Sequence, residues 1–281
     1  MPRLHAKHRT EIRYAGPAGE SVNEIRLTPS DNGRQRVEWS HVRVEPAAEL
    51  LSHTDAFGNA VSWFQLVGAH ELLVVESEAI VVTTPAPRPP ASEGGDLSEL
   101  DDPQYIDRWA EFLTPSAHVR WGGPVAELGD ALELNEDEGA LAWVRGLEAE
   151  VNRAIVYTTG ATRVDTPIED VVRAGVGVCQ DMAHLMIALC RRRGMAARYI
   201  SGWLHLPGID RPGESHAWVE AAVPGLGWIE LDPTHPEPAG EDYVRLAVGR
   251  DYTDVPPLRG SYIGPVTEGM DVVVYVRELP A

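Results

Sequence analysis

Apolar and polar residues alternate with a period of two along most of the first 84 positions. TEIRYAG, SVNEIRLTPSDNG, RQRVEWSHVRVEP, AVSWFQLVG and ELLVVESEAIVVTT each read as a strand, parted by turn residues such as DAFGN. Regular spacing of such strands without helical periods predicts an antiparallel sandwich or small barrel over residues 1–84. The alternation then stops. Residues 85–102, PAPRPPASEGGDLSELDD, are rich in proline, glycine, serine and acid, and a flexible linker is expected there.

Beyond the linker the period becomes helical. Asp102-Pro103 opens a short helix through Phe112, Glu138 to Thr158 carries a long one, and Asp165-Thr166-Pro167 leads into IEDVVRAG. The stretch GVGVCQDMAHLMIALCRRRG follows, with Met182, Leu185, Met186, Leu189 and Cys190 at helical spacing. Arg191, Arg192 and Arg193 fill its last turn and Gly194 lies just past it, as suits the negative end of a helix. The signal then turns to strands: AARYISGWLHL, SHAWVEAAV and GWIELDPT. Tyr243 to Gly264 reads as loop, and MDVVVYVREL as a final strand. Residues 103–281 therefore predict an α+β unit, helices first and antiparallel sheet second.

Composition narrows the function classes. With 281 residues, 43% of them hydrophobic, the chain can bury a large core. Forty-three acidic against twenty-four basic residues give a formal charge of -19, which repels phosphate backbones and anionic headgroups, so no nucleic-acid or membrane partner is expected. The opening MPRLHAKHRTEIRY lacks an apolar signal region and no run of about 18 apolar residues occurs, so the cytoplasm is the expected compartment. The acidic stretches at 93–102 and 135–138 read as solvated surface.

Candidate chemistry gathers around Cys179, at the first helical position of the central stretch. Unpaired N–H groups and the positive dipole end favour thiolate over thiol there. Cys190 lies eleven positions on, about 16 Å along the helix, too far for a disulfide, and its place on the apolar stripe makes it a core residue. A thiol nucleophile needs a base, and the base an orienting group. His216 begins one strand and Asp232 ends the next, so if those strands are neighbours the two side chains meet at one end of the sheet. Spacing alone leaves the alternatives open: a core thiol, a structural histidine and a turn aspartate. Cys179 with His205, His216 and His235 lacks the paired spacing of zinc sites, and no metal or other cofactor is expected. His184 reads as structural. Gln180 and Asp181 suit either a first helical turn or a substrate contact, and Trp203 and Trp218 suit either a cleft wall or a buried aromatic.

The run GVCQDMAHLMIALCRRRGMAARYISGW, then ESHAWVEAAVPGLGWIELDPTH, then AVGRDYTDVPPLRGSYIG resembles the catalytic core of the bacterial transglutaminase-like superfamily over Pro167 to Gly264. The region from His8 to Thr84, with NEIRLTP and DAFGN, resembles the β-rich N-terminal region that accompanies this core. The resemblance implies a papain-like catalytic fold, with Cys179 as nucleophile, His216 as general base and then acid, and Asp232 as orienter of the imidazole. It implies a thioester on Cys179, resolved by water in a peptidase or amidase acting on a peptide or protein, or by an amine in a crosslinking acyl transferase. Water is favoured: Lys7 is the single lysine, few residues follow the core, and no EF-hand-like acidic loop is visible. A binding module that keeps the fold without the activity is the remaining alternative. Gln180, Asp181 and Trp218 are the expected substrate contacts.

Overall fold

The computed structural model describes residues 1–208, 213, 215–235 and 240–280. Most of the polar turn GIDRPGES expected before His216 falls outside them. The first part of the chain forms strands β1 (Arg3–Ala18), β2 (Ser21–Ile25), β3 (Gln35–Glu45), β4 (Leu51–Thr54), β5 (Ala60–Leu66) and β6 (His70–Thr83). Helices α1 (Pro103–Trp109), α2 (Gly123–Ala131) and α3 (Ala140–Ala154) follow, then the two-residue strand β7 (Val156–Tyr157), helix α4 (Ile168–Ala174), strand β8 (Val176–Gly177) and helix α5 (Cys179–Arg192). The chain continues through β9 (Ala197–Leu204), β10 (His216–Val223), β11 (Gly227–Leu231), β12 (Tyr243–Gly249), β13 (Leu258–Tyr262) and β14 (Thr267–Leu279).

The N-terminal strands form two four-stranded sheets, ordered β14-β1-β6-β3 and β13-β2-β5-β4, packed face to face. One edge strand of each, β14 and β13, comes from the far end of the chain. MDVVVYVREL, expected to end the second unit, pairs along β1 from Arg3↔Leu279 to Ile12↔Met270. A β-strand buries one face only when a sheet offers a partner edge, and β1 is long enough to offer one.

A third sheet, β11-β10-β9-β12, carries the helices on one face. Helix α5 is buried along almost its whole length against β9 and β10, with Met182, Leu185, Met186, Leu189 and Cys190 in the shared core. Further along the strands the same face sends Trp203 and Val244, with Leu246, into the sandwich core, joining the two parts of the molecule, while the other face packs Ile200, Trp218, Tyr243 and Val248 in a cluster of their own. This double burial explains the loop reading over Tyr243–Gly249: β12 is covered on both faces, so YVRLAVG lacks the alternation that marks a half-buried strand, whereas β13, also read as loop, is mostly exposed and is a strand by virtue of its pairing with β2. Side-chain amides cap its free edge. Asn59 exchanges two hydrogen bonds with the Val248 backbone, both 2.8 Å, and Gln35 does the same with Arg245 at 2.8 and 2.9 Å.

The expected linker is also more ordered than its composition suggests. Leu97 and Leu100 are buried in the helical core, the Asp96 N–H donates to Glu99 Oε1, and Gly95 bonds the backbone of both Pro224 and Ala140. Gly94 lies against Leu141 so closely that a β-carbon there would collide with it, which is what the glycines supply. Arg191, in the last turn of α5, is buried and donates to the carbonyls of Thr114, Ala197 and Arg250. Burial pushes its guanidinium down to about 10, and two loops and the start of β9 are tied to α5 through it.

Candidate active site

The backbone delivers Cys179 to its position in three steps. Gly175 ends α4 in the left-handed region, β8 pairs with β7 in parallel, and Val178 is extended before α5 begins. Asp181 caps that start: its carboxylate accepts the Val178 N–H at 2.8 Å and the Thr162 hydroxyl at 2.6 Å. It is buried, and burial raises its pKa against the opposing pull of those donors. Cys179 itself is half-buried and borders two adjoining clefts of about 400 and 690 Å³.

His216 and Asp232 come together because β10 and β11 are hydrogen-bonded neighbours in the register Val219↔Leu231. The imidazole Nε2–H donates to Asp232 Oδ2 at 2.7 Å, and Cys179 is close enough to the ring to act on its charge. Burial opposes the charge on His216, but the Asp232 carboxylate and Cys179 outweigh it and push the imidazole up to about 10. Asp232 is fully buried. Its desolvation is more than offset by His216 and by the Tyr243 hydroxyl, which donates to the same Oδ2 at 2.7 Å, so its pKa falls. Thr234 N–H donates to Oδ1 at 2.9 Å, which fixes the plane of the carboxylate. The three groups thus stand in series as a sulfur, an imidazolium and a carboxylate.

Helix α3 supports the far side of this series. Glu148 Oε1 accepts the Asp232 N–H at 2.6 Å, and Asn152 Nδ2 donates to the Pro233 carbonyl at 2.8 Å. Burial pushes Glu148 up to about 8, so near neutral pH it is largely an uncharged acid beside the Asp232 carboxylate. An acid whose folded pKa is raised costs stability that is absent below its ordinary value of 4.5 and grows as pH rises toward 8. Glu148→Gln keeps the acceptor and removes the titration. Urea unfolding should therefore give the variant no advantage at pH 4 and a clear advantage at pH 8.5; an equal difference at both would show that Glu148 does not titrate in this range.

Of the expected substrate contacts, only Gln180 lines the cleft, where its amide also donates to the Val164 carbonyl at 3.2 Å. Asp181 is turned back as the helix cap. Trp218 is 1% exposed and lies behind the imidazole, stacked on it at 6.0 Å between ring centroids. Gly202, opposite His216 across β9 and β10, makes room for that ring: a β-carbon there would collide with the indole and with the Val244 carbonyl. Trp203 is also buried and donates from Nε1 to His8 Nδ1 at 3.1 Å. His184 is buried, accepts the Tyr252 N–H and stacks on His118, and burial pushes it down to about 3.

The zinc set comes together only in part. His205 pairs with Asp242 at 2.7 Å, while His216, Asp232 and His235 bring ligand atoms within 4.8 Å of one another. Within that group the nearest His216 and Asp232 atoms are already spent on each other. Tyr243, Glu148 and Asn152 carried no local signal in the sequence, because each reaches the site across a strand or helix contact. The contribution of the first sheet to the cleft was equally hidden: Met270 and Val272 from β14 and His8 and Thr10 from β1 line it together with Cys179.

A helix that starts on a cysteine, packed on an antiparallel sheet that supplies histidine and aspartate, is the class of fold that frames this site. Residues 131–233 match the transglutaminase-like superfamily and residues 4–82 match the bacterial transglutaminase-like N-terminal region. An uncharacterized protein of Mycobacterium leprae (strain TN) is 35% identical over 99% of this chain and 100% of its own length. One from Mycobacterium tuberculosis (strain H37Rv) is 32% identical over 92% of this chain and 87% of its own. The fold is that of a candidate cysteine protease from Cytophaga hutchinsonii, at a TM-score of 0.76 and 22% identity over 100% of this chain and 92% of the other. The protein belongs to the transglutaminase-like superfamily, with the bacterial N-terminal region in place. No helix among the described residues is long and apolar enough to cross a membrane.

Proposed function

We propose that this protein is a cofactor-independent thiol hydrolase that cleaves a peptide or side-chain amide through a thioester on Cys179. The observation that carries the reading is the His216 Nε2–Asp232 Oδ2 hydrogen bond of 2.7 Å, with Cys179 at the start of α5 as the imidazole's other polar neighbour. The Cys179 thiolate attacks the amide carbonyl, forming a C–S bond, and the oxyanion is held by the Cys179 N–H. The His216 imidazolium gives its proton to the departing amine as the C–N bond breaks. The neutral imidazole then takes a proton from water, the hydroxide attacks the thioester, and the C–S bond breaks to return the thiolate. Asp232 holds the ring through both half-reactions. Every atom transferred comes from these groups, the amide and water. The free Cys179 and Cys190 suit a reducing compartment, so the cytoplasmic placement stays part of the proposal.

Digestion of reduced casein in ¹⁸O-water with a labelled primary amine present tests the reaction class. Expected is one ¹⁸O in each new carboxylate and no amine in the product. Amine-bearing product as the main species would replace the hydrolase by an acyl transferase.

A further inference from the structure

The cleft that Cys179 borders is lined in part by the free edge of a β-sheet. Strand β14 is outermost in the order β14-β1-β6-β3, so one side of its backbone has no strand beside it. The direction of its peptide groups is set by one contact. Val274 exchanges two antiparallel backbone hydrogen bonds with Gly213, 2.8 and 2.9 Å, on the side away from β1. In an antiparallel ladder every second residue points its N–H and C=O the same way. The β1 register is unbroken from Leu279 to Met270, so the N–H and C=O of Val272 and Met270 also point to the free side. Among the described residues neither has a backbone partner there. Val272 borders both clefts together with Cys179 and His216, and Met270 borders the first.

We infer that an extended peptide substrate binds by adding a strand to β14 at Val272 and Met270, which lays its backbone along the cleft beside Cys179. For the cleavage of the bound peptide, though not for its binding, this inference rests on the hydrolase reading. Gly213 shows that the edge accepts an antiparallel backbone next to the site. The two outward positions repeat every second residue, so at about 3.4 Å per residue they engage three to four residues of substrate. Main-chain hydrogen bonds of this kind read backbone and not side chains, so the substrate class is unfolded or extended polypeptide of broad sequence. The edge of the third sheet is closed by comparison: β12 has its outward groups at Arg245 and Val248 occupied by Gln35 and Asn59, and it faces no thiol.

The test separates binding from turnover. Val272→Pro removes an outward donor without breaking a bond to β1, because the lost N–H faces the free side. Val272→Ala keeps that donor and trims the side chain. In a Cys179→Ala background, anisotropy of fluorescein-labelled reduced casein should report binding that Val272→Pro weakens at least tenfold and Val272→Ala by less than twofold. Circular dichroism checks folding, and Met270→Pro takes the place of a Val272→Pro variant that does not fold. Unchanged binding in the proline variant, equal losses in the proline and alanine variants, or no casein binding to the Cys179→Ala protein overturns the edge. The hydrolase reading is judged apart: edge-dependent binding without casein cleavage by the unmutated enzyme overturns the reaction and leaves the binding mode.

Discussion

Cys179→Ala should abolish amide turnover while leaving the unfolding free energy unchanged within about 0.5 kcal/mol, and Cys190→Ala should do the reverse. The two thiols share α5 but not an environment. Cys179 is half-buried where the helix opens onto the clefts, whereas Cys190 is fully buried among Leu185, Met186 and Tyr199 in the helical core. Removing the Cys190 sulfur leaves a small void in close-packed surroundings, at about 1 to 2 kcal/mol. Burial also pushes the Cys190 thiol up to about 12, so it stays an inert thiol at working pH. Iodoacetamide should therefore modify one cysteine per folded chain, with loss of activity in proportion. Two cysteines modified in the native protein, or comparable turnover in both alanine variants, removes Cys179 as the nucleophile.

The sequence disclosed the part of this site whose chemistry is written locally. A cysteine at a capped helix start, a histidine opening a strand and an aspartate closing the next one are each readable from a few neighbouring residues. The helix-plus-sheet layout came from the same periods, as did the β-rich beginning. Contributions that cross the chain stayed hidden. Tyr243 reaches Asp232 from a strand whose double burial erased its alternation, and Glu148 reaches it from a helix face that looks like any other polar position. Trp218 sits next but one to His216 and alternation puts the two side chains on one face, yet only the packing over Gly202 places the indole behind the imidazole. The last strand was read as a strand but not as the cleft wall, because its partner β1 lies more than 250 residues away in the chain. Residue type and spacing expose a reaction centre; the surfaces that hold the substrate depend on tertiary pairing.

Asp232→Asn should lower kcat/KM by about four orders of magnitude with the fold retained. Oδ2 accepts from both His216 Nε2 and the Tyr243 hydroxyl, and Oδ1 accepts from Thr234 N–H. An asparagine has one acceptor oxygen to offer, so whichever way its amide turns, an N–H faces a donor. The larger effect is electrostatic. Burial by itself lowers the His216 pKa, and the carboxylate is the first of the groups that reverse this. Without its charge His216 falls back to a neutral imidazole, and the proton needed by the leaving amine is missing. In the unmutated enzyme the alkaline limb of the rate profile should follow His216 near pH 10; in Asp232→Asn it should move down by several pH units. Stability provides a separate readout with a fixed sign. A histidine whose folded pKa is raised contributes stability fully below its ordinary value of 6.5 and loses it as pH rises through about 10. The stability gap between enzyme and variant should therefore be widest below pH 6.5 and close as the solution passes pH 10. A variant that keeps its rate within tenfold, or whose stability gap is flat with pH, would show that Asp232 neither orients nor charges the imidazole.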